Sequence, residues 1–295
     1  MLKHLNSSEV TPERVVILGS GGFVGGTTQR LLEQNAVPVL GLTRTDVDLL
    51  SPNAADALEG LLNETDSLVV VAANAPCKNA ALLLENVHMM NTVCDAITSV
   101  KPAHIIYISS DAVYHDSTKP MSESECAAPG SAHGAMHVAR EQMLQASFDG
   151  PICILRPSLL YGANDPHNGY GPNVFRRKAA AGEDIVLFGE GEERRDHVFI
   201  DDVARIIHLC LMHQSQGILN VATGTVISFK EVAEAVVSLF DNPVSISGSP
   251  RSGPMPHNGY RAFDAAATML AFADFTYTQP VVGFVKVHNE SLEAN

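Results

Sequence analysis

The sequence predicts an α/β fold: a doubly wound parallel sheet with a smaller C-terminal lobe. Through the first half of the 295-residue chain, apolar runs rich in β-branched residues alternate with segments of helical spacing. Runs that are apolar throughout are typical of parallel strands buried on both faces. From about Tyr161 the chain changes to loops rich in Gly, Pro and Asn around short helical pieces. This change indicates a lobe that lies beyond the carboxyl ends of the strands.

Five strands are expected in the first half of the chain, and a sixth returns to the sheet from the second half. The runs are RVVILGS, VPVLGLT, SLVVVAA, AHIIYISS and PICILRP, with GILNVA as the returning strand and helical pieces at 173–182, 201–214 and 228–240. Alternation of strands and helices requires right-handed crossovers, so the strands run parallel. One domain is predicted to span 1–160 with 196–225 returning to it, and the smaller lobe to span 161–195 and 226–295.

Composition excludes several classes of partner. The chain has 19 Lys and Arg against 33 Asp and Glu, a formal net charge of -14, which repels nucleic acid and anionic membrane surfaces. No apolar run approaches the roughly 20 residues of a membrane span, and the start MLKHLNSSEVTPER lacks the apolar centre of a signal peptide. A cytoplasmic location is therefore expected. The five cysteines are scattered and form no C-x-x-C pair, which argues against disulfides and a thiolate zinc site.

The segment ILGSGGFVGG follows the first strand and opens a helix. Its glycines Gly19, Gly22 and Gly25 have G-x-x-G-x-x-G spacing. Such a turn lets backbone amides approach a pyrophosphate, and the helix N-terminus adds the positive end of its dipole. The segment therefore predicts a dinucleotide site.

The end of the second strand bears on the choice between NAD and NADP. An NAD site usually has an acid here for the ribose 2′-hydroxyl, whereas Thr43 and Arg44 offer a hydroxyl and a cation that suit a 2′-phosphate. We therefore expect NADP to be preferred over NAD. The alternative is that Arg44 is a solvated surface residue and that Asp46 or Asp48 supplies the acid.

The segment SAHGAMHVARE presents an unusual stripe on a predicted helix. His133, His137 and Glu141 are four residues apart, so they project from one face. Histidines at i and i+4 can chelate zinc, which is one interpretation of the stripe. No H-E-x-x-H acid is present, and no metal site is expected.

Seven segments of the chain carry a resemblance to a known family. They are GSGGFVGG, VDLL, VVVAAN, ENVHMMNTVCDAI, IYISSDAVY, ILRPSLLYG and LFGEGEERRDHVFIDDVARI. Together they resemble the extended short-chain dehydrogenase/reductase family, in the NAD-dependent epimerase/dehydratase branch that acts on nucleotide sugars. The resemblance runs from about Arg14 to Gly283 and implies a Rossmann fold.

The resemblance implies roles for particular residues. Cofactor contacts are implied at Gly19, Gly22, Phe23, Val24, Gly25, Asp48, Leu49, Ala72, Ala73 and Asn86, and substrate contacts at Tyr161, Asn173 and Arg195. Arg261, which follows the second of two PHNGY pentapeptides, is a further candidate for a phosphate contact. Ser110 takes the place of the active-site Ser/Thr. Asp111 stands where dehydratases carry an acid, but the Glu that usually follows is Ala112.

The chain departs from the family where the family has Tyr-x-x-x-Lys. Here His133 and His137 occupy those two positions. A phenol needs a nearby cation to become a base near neutral pH, whereas an imidazole does not. The hypothesis is that His133, assisted by Ser110, accepts the hydroxyl proton and that His137 hydrogen-bonds the nicotinamide ribose. Other candidate groups for the proton are Tyr114, His115, His167 and His257.

Three functions remain open from the sequence. The first is an NAD(P)-dependent oxidoreductase or epimerase that transfers hydride at a carbon of a nucleotide sugar. The second is a catalytically silent NAD(P)-binding regulatory or sensor protein of the same fold. The third is the metal site on the His133 helix. The resemblance also implies a homodimer formed partly by the helix after Ser131.

Overall fold

The computed structural model describes residues 2–293, and its elements follow in chain order. The strands are β1 (Lys3–His4), β2 (Arg14–Leu18), β3 (Val39–Leu42), β4 (Asp66–Val70), β5 (His104–Ile108), β6 (Ile152–Pro157), β7 (Leu159–Tyr161), β8 (Ile185–Phe188), β9 (Arg194–Phe199), β10 (Ser215–Val221), β11 (Val226–Ser228), β12 (Ile246–Ser249) and β13 (Tyr260–Arg261). The helices are α1 (Phe23–Gln34), α2 (Ala54–Glu59), α3 (Ala80–Val100), α4 (Ala132–Ser147), α5 (Pro172–Ala181), α6 (Ile200–Met212), α7 (Phe229–Val237), α8 (Ala266–Ala271) and α9 (Pro280–Glu293). A single turn of 3-10 helix covers Asp111–Val113, and Pro256–Gly259 forms a tight turn in which His257 and Asn258 have positive φ angles.

The centre of the fold is a seven-stranded sheet in the order β1-β10-β6-β5-β4-β2-β3. All neighbouring strands pair in parallel except β1, which is antiparallel to β10. Strand residues alternate between the two faces: Val15 and Ile17 belong to one apolar cluster, and Val16 and Leu18 to another. Helices α1 and α6 contribute to the first cluster and α2 and α3 to the second. The predicted doubly wound α/β fold is confirmed.

A crevice is created where the order of connection reverses. From β2 the chain passes through α1 to β3 on one side, and from β3 it passes through α2 to β4 on the other side of β2. The connection that leaves the carboxyl end of β2 leads to β3, and the connection that leaves the carboxyl end of β4 leads to β5 on the opposite side. Such a switch point is where open α/β sheets bind ligands.

The smaller sheets lie in the second half of the chain. Strand β9 pairs with β7, β11 and β13, and β8 pairs with β12. The chain leaves the central sheet after Pro157 and returns to it at Ser215. One apolar cluster nevertheless contains Val15 of the central sheet together with Phe175 and Phe229 of the lobe. The division into two domains stays a prediction.

Side-chain caps determine where several helices begin. The Ser131 hydroxyl accepts a hydrogen bond from the Gly134 backbone N–H at the start of α4. Asn79 caps α3 in the same way, and Ser228 forms a capping box with Glu231 at α7. The cap at Ser131 places His133 in the first turn of α4.

Within residues 2–293, none of these helices has the length and apolarity that crossing a bilayer requires.

A buried histidine on β5 is expected to make the fold sensitive to acid. His104 is fully buried and its Nε2 lies 2.7 Å from the Ser215 carbonyl oxygen. Burial lowers its pKa from 6.5 to about 4, although the Ser215 carbonyl opposes the shift. Between these values the unfolded chain binds a proton that the folded chain does not, so stability falls as pH falls through this window. We expect His104 alone to reduce the free energy of unfolding by about 2 kcal/mol between pH 7 and pH 5.

Urea unfolding at the two pH values measures this effect. His104→Gln keeps a donor for the Ser215 carbonyl but cannot titrate, so its loss of stability between pH 7 and pH 5 should be smaller by about that amount. Other buried histidines contribute equally to both proteins and cancel in the comparison. Identical pH dependence in the two proteins would show that His104 does not titrate differently on folding.

Candidate active site

A single cavity of about 940 Å³ occupies the crevice at the carboxyl ends of the strands. It extends from the turn after β2 to the start of α4 and to residues of the lobe. The predicted site residues that line it are Gly19, Gly22, Phe23, Val24, Thr43, Arg44, Asp48, Leu49, Ala72, Ala73, Ser110, Asp111, His133, His137, Asn173 and Arg195. The fold therefore brings most of the predicted residues to one cavity.

The glycine turn forms one end of the cavity. Gly19 has φ +100°, and a Cβ there would lie 2.7 Å from the Ala72 backbone nitrogen. A Cβ at Gly25 would lie 2.2 Å from the Gly19 carbonyl oxygen. Both positions therefore require glycine, and Gly25 acts by close packing rather than by lining the cavity. Helix α1 begins directly after Gly22 with no acidic side chain in its first turn, so its N-terminus suits a pyrophosphate.

The loop after β3 forms the adjacent wall. The Asp46 carboxylate accepts hydrogen bonds from the Thr43 backbone N–H at 2.8 Å and from the Thr43 hydroxyl at 2.7 Å. These bonds lower the pKa of Asp46 and fix its carboxylate within the turn. Arg44 keeps an exposed side chain, whose Nη2 lies 3.4 Å from Asp48 Oδ2. Among the candidate 2′ ligands, Asp46 is thus occupied, whereas Arg44 and its partner Asp48 both line the cavity, and Arg44 is the more exposed of the two.

The turn after β5 holds Ser110 and Asp111. Ser110 caps the 3-10 turn: its Oγ accepts from the Ala112 backbone N–H at 3.1 Å. A Cβ at Gly134 would lie 2.0 Å from the Ala112 carbonyl oxygen, so this glycine lets α4 approach the turn closely. The close approach holds Ser110 and His133 at the same end of the cavity.

Asp111 is buried between two arginines. Its Oδ2 lies 2.8 Å from Arg261 Nε and 3.8 Å from Arg195 Nη2, and its carbonyl oxygen also accepts from Arg261. Burial raises the pKa of the Asp111 carboxyl, but the charges of Arg261 and Arg195 outweigh burial and hold that pKa below its usual value. Asp111 is therefore a carboxylate at neutral pH and a poor proton donor.

The two histidines of α4 are neutral. Burial lowers the pKa of His133, although the Asp111 charge opposes the shift. Burial, with His133 and Arg140 nearby, lowers the pKa of His137 further. The rings stand at 85° with centroids 4.8 Å apart. His133 Nδ1 accepts a hydrogen bond from the Cys77 backbone N–H at 3.4 Å, and His137 Nδ1 lies 2.8 Å from the Tyr107 hydroxyl.

Glu141 does not join the histidines in a ligand set. Its carboxylate receives a bidentate pair of bonds from Arg156, at 3.0 Å and 2.6 Å, and a third bond from the Ser109 hydroxyl at 2.5 Å. The ion pair is almost fully buried. Within the described part of the chain, no cluster of His, Cys, Asp and Glu side chains is arranged to hold a metal ion. The stripe of three residues therefore separates into a histidine pair at the cavity and a glutamate in the core.

Three predicted ligands lie away from the cavity lining. The Asn86 amide is buried and bonds the backbone N–H and carbonyl of Asn74, so it shapes a wall residue instead of contacting the cofactor. Tyr161 is fully buried, with its ring against Phe199 and Phe284. The buried Arg261 guanidinium forms an ion pair with Asp111. Direct ligand contacts for these three side chains are not supported by their positions.

Other predicted groups have structural partners. Asn173 lines the cavity, but its amide bonds the Gly162 N–H at 3.1 Å and Asp165 at 3.0 Å. The Tyr114 hydroxyl donates to Asn220, and His257 pairs with Asp116 at 2.5 Å. His167 of the first PHNGY lines the cavity. No residue of 256–260 lines it.

Sequence reasoning missed three contributors to the site. Cys77 supplies the backbone donor to His133, and Tyr107 and Arg140 lie beneath His137. Arg140 was detectable, because it lies four residues after Met136 and four before Leu144, on the side of the helix that the apolar pattern assigns to the core. Tyr107 gave no signal, since a tyrosine in an apolar strand is typical of ordinary core packing.

These features are typical of an α/β protein that binds a dinucleotide. Its cavity is also lined by the polar side chains of Ser110, His133 and Arg195. The model of the NAD dependent epimerase/dehydratase family matches residues 15–222, which is more than half of the chain. The chain belongs to this family. The resemblance inferred from the sequence motifs is thereby confirmed.

Similar proteins agree with this assignment. ADP-L-glycero-D-manno-heptose-6-epimerase of Thiobacillus denitrificans is 28% identical over 258 residues, which covers 76% of this chain and 77% of the relative. The structure of a Thermus thermophilus UDP-glucose 4-epimerase complex with NAD matches with a TM-score of 0.82 at 20% identity, over 96% of this chain and 100% of that one. A GDP-L-fucose synthetase of Naegleria fowleri bound to NADP matches with a TM-score of 0.80 at 16% identity, over 99% and 97%.

Proposed function

We propose that the protein is an NAD(P)-dependent oxidoreductase or epimerase that transfers hydride at a carbon of a nucleotide sugar. The observation that carries the proposal is one cavity lined by the glycine turn at one end and by Ser110, His133 and Arg195 at the other. Support comes from the relatives, which are named as epimerases and a synthetase of nucleotide-linked sugars. The two solved structures among them contain NAD and NADP, respectively.

The first part of the cavity fits a dinucleotide. The amides after Gly19 and the start of α1 would hold the pyrophosphate, and Asp48 and Leu49 would lie at the adenosine. Ala72 and Ala73 leave room for the nicotinamide half, because their side chains are small. When bound, the nicotinamide supplies the hydride donor or acceptor.

The proposed cofactor is NADP rather than NAD. Arg44 lines the cavity with an exposed guanidinium, and its contact with Asp48 is long and solvated. Of the two alternative acids, Asp46 is occupied by the Thr43 backbone and hydroxyl. Asp48 accepts a hydrogen bond from the Leu50 backbone N–H and lies beside Arg44, whose positive charge it would share with a 2′-phosphate. A guanidinium in this position suits a 2′-phosphate through charge-assisted hydrogen bonds.

Arg44→Ala tests the choice of cofactor. We expect it to weaken NADP⁺ binding roughly 10- to 100-fold, because a charge-assisted hydrogen bond to phosphate contributes about 1.5–3 kcal/mol. NAD⁺ binding should change by less than about two-fold, since NAD⁺ lacks the 2′-phosphate. Isothermal titration calorimetry with both dinucleotides gives the two dissociation constants. Equal weakening of both would assign Arg44 to a general structural role.

His133 and Ser110 are proposed to act on the substrate oxygen. Because the Cys77 N–H donates to Nδ1, the neutral His133 ring carries its proton on Nε2. Hydride addition to a carbonyl carbon builds negative charge on the oxygen, and an N–H donor beside a hydroxyl stabilises that charge. The sequence-based hypothesis made His133 the base. The hydrogen bond at Nδ1 favours donation, as in reduction of a keto sugar by a reductase or in the second half of an epimerisation.

Asp111 is proposed as a charged anchor rather than an acid. It fixes Arg195, which lines the cavity and whose guanidinium would approach the phosphates of a sugar nucleotide. A dehydratase needs an acid to protonate the departing hydroxyl. The arginines that hold Asp111 ionised therefore favour a reductase or epimerase over a dehydratase.

Calorimetric titration of nucleotide-stripped protein with NADP⁺, NADPH, NAD⁺ and NADH is the first test. Binding of either the NADP⁺/NADPH pair or the NAD⁺/NADH pair supports the proposed dinucleotide site. Nucleotide sugars and their keto derivatives are then added to the protein with its dinucleotide bound. The nicotinamide absorbance, at steady state or in a single turnover, reports hydride transfer. Absence of binding to all four dinucleotides would contradict the proposal.

The second candidate is a catalytically silent NAD(P)-binding protein. It is favoured by the loss of the tyrosine and the lysine of the family at positions 133 and 137. A protein of this kind binds a dinucleotide but shows no single-turnover absorbance change with any nucleotide sugar. The homodimer expected from the resemblance stays a prediction.

A further inference from the structure

Beneath His137 lies a buried tyrosine that sequence motifs do not single out. Tyr107 is on β5, next to the turn that holds Ser110, and its side chain is fully buried. Its hydroxyl lies 2.8 Å from His137 Nδ1. The other ring nitrogen, Nε2, is on the opposite side of the imidazole, where His137 lines the cavity. The tyrosine thus contacts the nitrogen that faces the core.

The direction of this hydrogen bond follows from the neighbours of the phenol. Burial raises the pKa of Tyr107 to about 12, so the phenol keeps its proton at neutral pH. In the described part of the chain, His137 Nδ1 is the hydrogen-bond partner of the Tyr107 hydroxyl. If Nδ1 carried the imidazole proton, the phenol hydrogen would have no acceptor, at a cost of roughly 1–3 kcal/mol. The phenol therefore donates, and the neutral ring carries its proton on Nε2.

Arg140 lies beside Tyr107 and His137, and its positive charge helps to keep the His137 imidazole neutral. Its guanidinium carbon lies 5.3 Å from the centroid of the Tyr107 ring, and its Nη2 donates to the Ala72 carbonyl at 2.7 Å. No carboxylate of residues 2–293 forms an ion pair with it. Burial is the main cause of the lowered pKa of His137, and the positive charge of Arg140 lowers it further. The imidazole is thus kept as a neutral group with one donor and one occupied acceptor.

We propose that Tyr107 is a positioning residue that fixes His137 as an Nε2–H donor directed into the cofactor cleft. In the family that this chain resembles, a lysine at this position binds the nicotinamide ribose, and an ammonium is also a donor without an acceptor. The Tyr107–His137 pair supplies a donor at the same position without a charge. This inference rests on the proposed dinucleotide binding for its ligand, but the state of the imidazole is independent of it.

The state of the ring is read from the ¹⁵N resonances of histidine-labelled apoprotein. The chain has 12 histidines, and His137→Asn assigns the relevant pair of signals by their disappearance. We expect His137 of the native protein to have an unprotonated Nδ1 and a protonated Nε2. In Tyr107→Phe the ring loses its fixed donor, so both tautomers should be populated. Tyr277→Phe, which removes the hydroxyl of another buried tyrosine bonded to Thr268, should leave the His137 signals unchanged.

Dinucleotide affinity is the second readout. Tyr107→Phe should weaken binding of the dinucleotide that the native protein prefers by about 3- to 10-fold, the size of one neutral hydrogen bond. Tyr277→Phe should bind as the native protein does. A proton on Nδ1 in the native protein, or unchanged signals and affinity in Tyr107→Phe, overturns the inference. If the native protein has the expected tautomer but binds no dinucleotide, the donor assignment stands and the proposed function fails.

Discussion

His133→Ala is expected to lower kcat about 10²- to 10⁴-fold while the dissociation constant for NADP⁺ changes by less than about two-fold. The range is that of a positioned group which exchanges or donates a proton at the reacting atom. Binding should be spared because the proposed dinucleotide contacts are made by other residues, and the bond from Tyr107 that fixes the neighbouring His137 ring does not depend on His133. Single-turnover measurement of the nicotinamide absorbance at saturating substrate isolates the hydride-transfer step.

His88→Ala is the matched control for this measurement. His88 is an exposed histidine of α3 that does not line the cavity, so its removal should leave kcat unchanged. Equal kcat for His133→Ala and the native protein would remove His133 from the mechanism. The proton would then belong to another cavity group, with Ser110 and His167 as the next side chains to replace.

Glu141→Leu is expected to lower the free energy of unfolding by about 3–5 kcal/mol. The substitution leaves Arg156 buried without its carboxylate, and an unpaired buried charge is strongly destabilising. Replacing both partners removes the charge as well as the pair. The double variant Glu141→Leu with Arg156→Met should therefore recover more than half of the loss. Urea unfolding of the native, single and double variants at one pH gives the three values.

An ion pair at the surface, with an exposed glutamate and a partly exposed arginine, provides the comparison. Arg251 Nε lies 3.1 Å from Glu192 Oε1, and the glutamate side chain is 45% exposed. Glu192→Gln should cost less than about 1 kcal/mol, because solvent screens the charges and hydrates the freed arginine. If Glu141→Leu were as mild as Glu192→Gln, the Arg156 guanidinium would have to reach water in the variant.

Local patterns predicted those parts of the fold that depend on local geometry. The glycine turn was readable because two of its constraints are local: Gly19 has a positive φ angle, and Gly25 packs against the Gly19 carbonyl of the same turn. The inner strands β2, β4, β5 and β6 were readable because each is buried on both faces. Strand β1 was not foreseen: it has two residues, too few for a pattern, and it depends on pairing with β10, more than two hundred residues away.

The internal organisation of the site depended on contacts distant in sequence. Arg261 and Asp111 are separated by 150 residues, and the pattern around each gave no indication that the arginine would be buried against the aspartate. Tyr161 was expected at the substrate, but the side of a three-residue strand that faces the cavity is fixed by its pairing with β9. The meeting of Tyr107 with His137 likewise requires β5 and α4 to be packed together.

The buried guanidinium of Arg140 restricts which side chains position 137 can hold. A lysine there would place an ammonium near a cation that has no carboxylate partner within the described chain, and two unneutralised cations repel strongly where water is excluded. A lysine at position 137 is therefore expected to destabilise the protein unless the positive charge at position 140 is removed as well.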